Sequence, residues 1–180
     1  MGELHEEITP KVQAFIEQQK LYFVATAPQV GRINLSPKGM DSFRVLHSRC
    51  VAFLNVTGSA NETAAHLYDD PRITFMFCSF SSQPWIVRLY GVGRVYHARD
   101  AEWPEWVGHF PDLPGKRQVV VAEIASVHTS CGFAVPIMDF VGERPEMVRW
   151  AEKKGEAGIR RYWAEKNQFS LDGLPTHVLP

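Results

Sequence analysis

Two short stretches carry residue types that could do chemistry. The first is Ser36-Pro37-Lys38-Gly39, a polar break with a cation between apolar runs. The second is Thr57-Gly58-Ser59-Ala60-Asn61-Glu62-Thr63, which follows the apolar run 51–56 and opens a short helix. Ser59 and Glu62 have the spacing of a capping box, in which each side chain bonds the other residue's backbone N–H. A helix N-terminus carries free N–H groups and a partial positive charge, so it suits a phosphate. With Lys38 nearby, the hydroxyl-rich turn would complete one anion pocket. A plainer reading stays open: the box only starts a helix, and Lys38 is solvated.

Other chemistries find little support. A serine hydrolase would need a G-x-S-x-G elbow, and the chain has none. The histidines at 5, 47, 66, 97, 109, 128 and 177 show no metal-binding spacing, so no metal is expected. There is no Walker loop, and Gly91-Val92-Gly93 sits in a strand context rather than before a helix. The chain thus offers phosphate-holding and stacking groups without an evident catalytic acid, base or nucleophile. That pattern suits a protein whose reactivity comes from a bound cofactor.

The 180 residues favour one domain, spanning 1–180, with the barrel at about 20–135 and a helical extension at about 143–180. A net charge of -1 gives no support to nucleic-acid binding. Cys50, Cys78 and Cys131 are odd in number and form no C-x-x-C pair, which points to a reducing cytoplasm. No apolar run reaches about 18 residues, so no membrane span is expected.

The elements that must position these residues follow from pattern. Thr9 and Pro10 cap a helix over 10–19, and residues 1–8 read as a polar lead-in. Strands are predicted at 21–27, 32–35, 42–46, 51–56, 72–80, 85–97 and 117–127. The helix from Asn61 ends before Pro71. Asp100 caps a short helix carrying Trp103 and Trp106, and residues 128–136 read as irregular. Residues 143–169 read as two short helices broken near Gly155 and Gly158. Gly91 and Gly93 inside a long strand mark a bulge, a bend or a close approach, as a small closed barrel needs to turn a corner. A meander of these strands with few helices argues for an antiparallel barrel flanked by helices, mainly β within the α+β class.

The order LYFVATA, INLSPKG, FRVL, TGSANETAAHL, PRITFMFC, RLYGVGRV resembles the pyridoxamine 5'-phosphate oxidase-related FMN-binding proteins. The likeness extends to the branch with a TSCGF segment and a DGLPT tail, and runs from about Ile8 to about Thr176. It implies an antiparallel split β-barrel, a homodimer, and FMN between subunits. It further implies that Asn34, Ser36 and Lys38 face the flavin ring or ribityl chain, with Lys38 on the phosphate or the ring edge. Thr57, Gly58 and Ser59 would line the isoalloxazine edge. Asn61, Glu62 and Thr63 stand where the oxidases carry a Ser-Arg-Lys phosphate grip, so the phosphate must lean on helix amides, Thr63 and a cation such as Arg32, Arg44 or Lys38. Arg88 has a counterpart arginine in the family pattern, or else makes an exterior salt bridge. Cys131 and Gly132, in a polar glycine turn, could cover the flavin from the other subunit. The C-terminal tryptophan and paired arginines of the true oxidases have no matching motif, which speaks against vitamin B6 oxidation. The implied function is an FMN-dependent oxidoreductase on a small organic substrate, with a nicotinamide nucleotide as candidate electron donor. The alternative is a non-catalytic protein that binds or stores FMN, haem or another planar ligand.

Overall fold

A computed structural model of the chain describes residues 2–180. Helix α1 (Pro10–Gln18) begins where the sequence places it, with Thr9 accepting a hydrogen bond from the Val12 amide. Its buried residues Val12, Phe15 and Ile16 recur at helical spacing and pack into the sheet.

The sheet is antiparallel and has eight strands, more than the sequence pattern suggests. They are β1 (Glu3–His5), β2 (Tyr22–Thr26), β3 (Asn34–Lys38), β4 (Phe43–His47), β5 (Cys50–Val56), β6 (Arg72–Cys78), β7 (Trp85–His97) and β8 (Lys116–Cys131). Their order is β3-β2-β6-β7-β8-β5-β4, with β1 from the polar lead-in pairing β8 off this path. The terminal strands β3 and β4 are not hydrogen-bonded neighbours, so the sheet curls round its core without closing. The fold is thus the expected antiparallel split barrel with flanking helices, and the closed form that the glycines of the long strand suggested is not adopted. Pro37 lies within β3 and pairs with Phe23 of β2; lacking an N–H, it belongs on an edge. The Ser-Pro-Lys stretch is therefore strand rather than a break.

Two cores explain why β5 is apolar on both faces. Val51 and Phe53 join the large cluster with Val24, Phe75, Phe77, Leu89 and Ile124. Ala52 and Leu54 face the other way, against Phe110, Val119, Trp103 and Trp106. The tryptophans lie on or beside α3 (Trp103–Val107), whose N-cap is Glu102; Asp100 instead accepts from the His97 amide.

Strand β8 runs on through Cys131, so residues 128–131 are ladder, not the expected irregular turn. Helix α4 (Glu146–Lys166) is kinked at Gly155, where φ is 61°. The chain after Gly158 forms a strap that returns to the sheet.

The glycines of β7 do different work. The β7–β8 register shifts between Tyr90 and Gly91, and a Cβ on Gly91 would lie 2.1 Å from the Glu123 carbonyl oxygen. The nearest atoms a Cβ on Gly93 would meet are those of the Leu67 and Ile73 side chains, at 3.2 Å or more. Gly91→Ala is therefore expected to cost about 2–3 kcal/mol in denaturant unfolding, in the range for forced overpacking. Gly93→Ala should cost clearly less; equal losses would contradict this reading of the bulge.

Candidate functional site

A small polar cavity of about 40 Å³ lies where β3, the end of β5, the start of β8 and helix α2 (Glu62–Asp69) converge. It is lined by Asn34, Ser36, Lys38, Asn55, Ala60, Asn61, Glu62, Thr63 and Arg117. Alternation along β3 turns Asn34, Ser36 and Lys38 inward and leaves Leu35 and Pro37 outside.

The lining is a linked set of hydrogen bonds. Ser36 Oγ donates to Asn34 Oδ1 at 3.0 Å, and Asn34 Nδ2 donates to Thr63 Oγ1 at 3.2 Å. Lys38 Nζ donates to Asn55 Oδ1 at 3.1 Å, and Asn55 Nδ2 donates to Gln118 Oε1 at 3.1 Å. Asn61, the N-cap of α2, makes no side-chain cap bond, and its buried Nδ2 has no partner. The Ser59–Glu62 capping box does not form. The carboxylate of Glu62 instead accepts from the Leu171 amide at 3.1 Å, because the returning strap brings that N–H to it.

Two cations dominate the electrostatics. Lys38 is half-buried as a residue, but its ammonium lies deep. Burial, and then the neighbouring Arg117, carry its pKa down to about 8. Arg117 is 3% exposed, and burial lowers it to about 9, so it stays charged at neutral pH. Among the described residues neither has a carboxylate within ion-pair distance. Buried charges are normally paired. A positive cavity with unpartnered donors at Asn61 Nδ2 and Arg117 Nε suits an anion.

The other sequence candidates fall elsewhere. Arg32 is held by Asp172 through backbone and side chain. Arg44 pairs with Asp41, donates to the His109 carbonyl, and lines a separate 530 Å³ hollow with Tyr22 and Phe43. Of the three cations weighed for the phosphate, only Lys38 reaches the cavity. The Thr57 amide is taken by the Gly115 carbonyl, while Gly58 and Ser59 turn their carbonyls to Asn167 Nδ2. Arg88 sits on the sheet's outer face, donating to Ser130 Oγ. Cys131, exposed, and Gly132 lie at the far end of β8 from Arg117. The pattern of residues missed Asn55 and Arg117. A charged residue opening an apolar strand was the one available signal for Arg117.

A model of the pyridoxamine 5'-phosphate oxidase family matches residues 8–131. The chain belongs to this family. It is 37% identical over 191 residues to the pyridoxamine 5'-phosphate oxidase family protein ustO of Aspergillus flavus, covering 95% of this chain and 76% of that protein. Among solved structures it is similar to HupZ of Group A Streptococcus, with a TM-score of 0.52 and 18% identity over 65% of this chain and 89% of that one. It is likewise similar to a candidate pyridoxamine 5'-phosphate oxidase of Lactobacillus delbrueckii, with a TM-score of 0.56 and 21% identity over 68% and 94%. At such identities these likenesses speak for the fold. The family model ends at Cys131, before the strap, whereas the similarity to ustO reaches into it.

No helix among the described residues is long and apolar enough to cross a membrane, and no cluster of metal-binding side chains occurs there.

Lys38 gives the site a pH signature. Affinity for an anion placed in this cavity should fall as pH rises through about 8, where Lys38 loses its proton. The stability sign is opposite. The unfolded chain holds that proton to 10.5 and the folded chain only to about 8, so without anion this contribution rises between those values. Denaturant titrations at both ends of that window should show wild type gaining on Lys38→Met as pH rises. Parallel curves would place the ammonium in water.

Proposed function

We propose that the chain is an FMN-binding flavoprotein, an oxidoreductase that acts through bound FMN on a small organic substrate. The observation that carries this reading is the cavity itself. It gathers Asn34, Ser36, Lys38, Asn61 and Thr63 at the start of α2 around buried, unneutralised positive charge. The first-turn N–H groups of a helix add to that field.

The size of the cavity limits what it holds. One water needs about 10–15 Å³ of such space, so 40 Å³ has room for a phosphoryl group. A flavin ring needs far more, since pockets for drug-sized ligands run to about 300–1,000 Å³. The ring would therefore lie outside the mouth, against a wall this chain does not supply alone. A second copy is the proposed wall. The outer face of the sheet places Leu35, Ala25, Thr74 and Tyr90 in one cross-strand row, with Leu35 62% and Tyr90 38% exposed. Because β3 belongs to both the cavity and this face, a copy seated there would sit beside the mouth. Arg88, on the same outer face, would then face the partner.

FMN, when bound, supplies hydride and electron transfer. The residues of this chain bind and orient: Lys38 and the α2 terminus hold the phosphoryl end, and Asn34 and Ser36 offer side-chain donors and acceptors along β3. A nicotinamide nucleotide is the proposed electron donor.

The purified protein should be yellow or take up added FMN, and NADH or NADPH should bleach the bound flavin in stopped-flow absorbance. Uptake without reduction by either donor favours the storage reading. Lys38→Ala and Thr63→Ala should each weaken FMN about tenfold, the loss of a hydrogen bond to an ionised group. Unchanged affinity in both would move the phosphate elsewhere. Sedimentation should give twice the 20.4 kDa chain mass, and Leu35→Asp should return it to the monomer. A wild-type monomer that binds FMN tightly would remove the partner wall from the account.

A further inference from the structure

Arg117 is a buried cation whose hydrogen-bonding capacity is only partly met. It opens β8 and is 3% exposed. Its Nη1 donates to two neutral acceptors, the Ala60 carbonyl at 3.1 Å and Asn167 Oδ1 at 2.8 Å. Its Nε has no partner. A guanidinium is a planar fork suited to two oxygens of one phosphate, and it gains most from a charged acceptor. Here it shares the cavity with Lys38 and with the unpartnered Nδ2 of Asn61. The two cations repel, which an anion between them would relieve. The cavity also contains Glu62, but that carboxylate is engaged by the Leu171 amide at 3.1 Å and lies 3.8 Å from His66 Nε2.

Asn167 ties the guanidinium to the C-terminal strap. The residue is fully buried, and its Nδ2 donates to the Gly58 carbonyl at 3.1 Å. The strap is further held by Trp163 Nε1 donating to Thr57 Oγ1 at 2.9 Å and by Leu171 on Glu62. It therefore contacts the 57–62 segment from its first residue to its last. We propose that Arg117 is the second phosphate-binding cation of this site, and that the Asn167 amide oxygen occupies a phosphate-oxygen position on it, so that ligand phosphate and strap compete for one guanidinium. The ligand class is a phosphate monoester. This rests on the flavin reading only for the identity of the group carrying the phosphate.

The competition makes filling the site and releasing the strap one linked event. It also assigns Arg117 the charge that the family's grip would otherwise supply from the turn, where this chain has Asn61, Glu62 and Thr63.

The test uses the full chain with Arg117→Gln and Asn167→Asp, and FMN, riboflavin and inorganic phosphate as probes. Asn167→Asp keeps Arg117 but places a carboxylate on it, so it should act as a built-in competitor. Each variant should weaken FMN by about tenfold or more, as expected for a lost charge-assisted bond, while riboflavin, which has no phosphate, binds as to wild type. Saturating phosphate should speed tryptic cleavage after Arg160, Arg161 and Lys166 in wild type and leave Arg117→Gln unaffected. If Arg117→Gln fails to fold, Asn167→Asp carries the test. FMN affinity unchanged in the folded variants overturns the proposal while leaving the flavin reading intact. Arg117-dependent phosphate binding without any flavin binding supports the proposal and sinks the flavin reading. No binding of phosphate or FMN to wild type overturns both.

Discussion

Uncompensated positive charge inside a folded chain is the constraint that organises this molecule. Lys38 and Arg117 approach one another where water is largely excluded, and among the described residues their hydrogen bonds go to amide and carbonyl oxygens. Desolvating a cation without a counter-ion costs several kcal/mol even after local relaxation. A fold under selection only for stability would replace such a pair with apolar residues. Keeping it makes sense if the missing negative charge arrives with a ligand.

The rest of the architecture can be understood as the means of holding that charge in place. Edge strand β3 alternates polar-in and apolar-out, so one strand serves both the cavity and an exposed apolar face. Buried on both sides, β5 carries Asn55 to the same spot from the centre of two cores. Strand β8 contributes Arg117 and Gln118 at its start and then pairs with β7 along its whole length. Asn55 and Gln118, bonded to each other at 3.1 Å across β5 and β8, form the neutral floor beneath the cations. The open sheet matters too, because a closed barrel would bury the β3 edge that this arrangement leaves accessible.

What could be read from residues alone divides along physical lines. Local signals were legible: Thr9 and Pro10 start α1, Pro71 follows the end of α2, and the glycines of β7 mark a bulge. Family motifs in order brought Asn34, Ser36, Lys38, Asn61 and Thr63 to attention, and these five do converge. Non-local facts were not legible. Glu62 looked like a capping partner until the strap delivered the Leu171 amide, more than a hundred positions away in sequence. Arg32 and Arg44 looked available until Asp172 and Asp41 claimed them. Arg117 carries no such signal, because a lone cation before an apolar run says nothing of what packs over it. Strand β1 is only three residues long, too short for alternation to reveal.

Membership of the pyridoxamine 5'-phosphate oxidase family and the electrostatics of the cavity point the same way, but they are independent lines of support. The first rests on motif order, and the second on burial and charge. On the proposed reading they meet in one atom position, the phosphorus of an FMN held at this cavity. A crystal structure of the FMN-loaded protein measures that position directly. The account predicts phosphorus at the mouth of α2, with its oxygens in hydrogen-bond contact with Lys38 and the Thr63 hydroxyl. Phosphorus in the larger hollow beside Tyr22 and Arg44, with Lys38 still bonded only to Asn55, would contradict it.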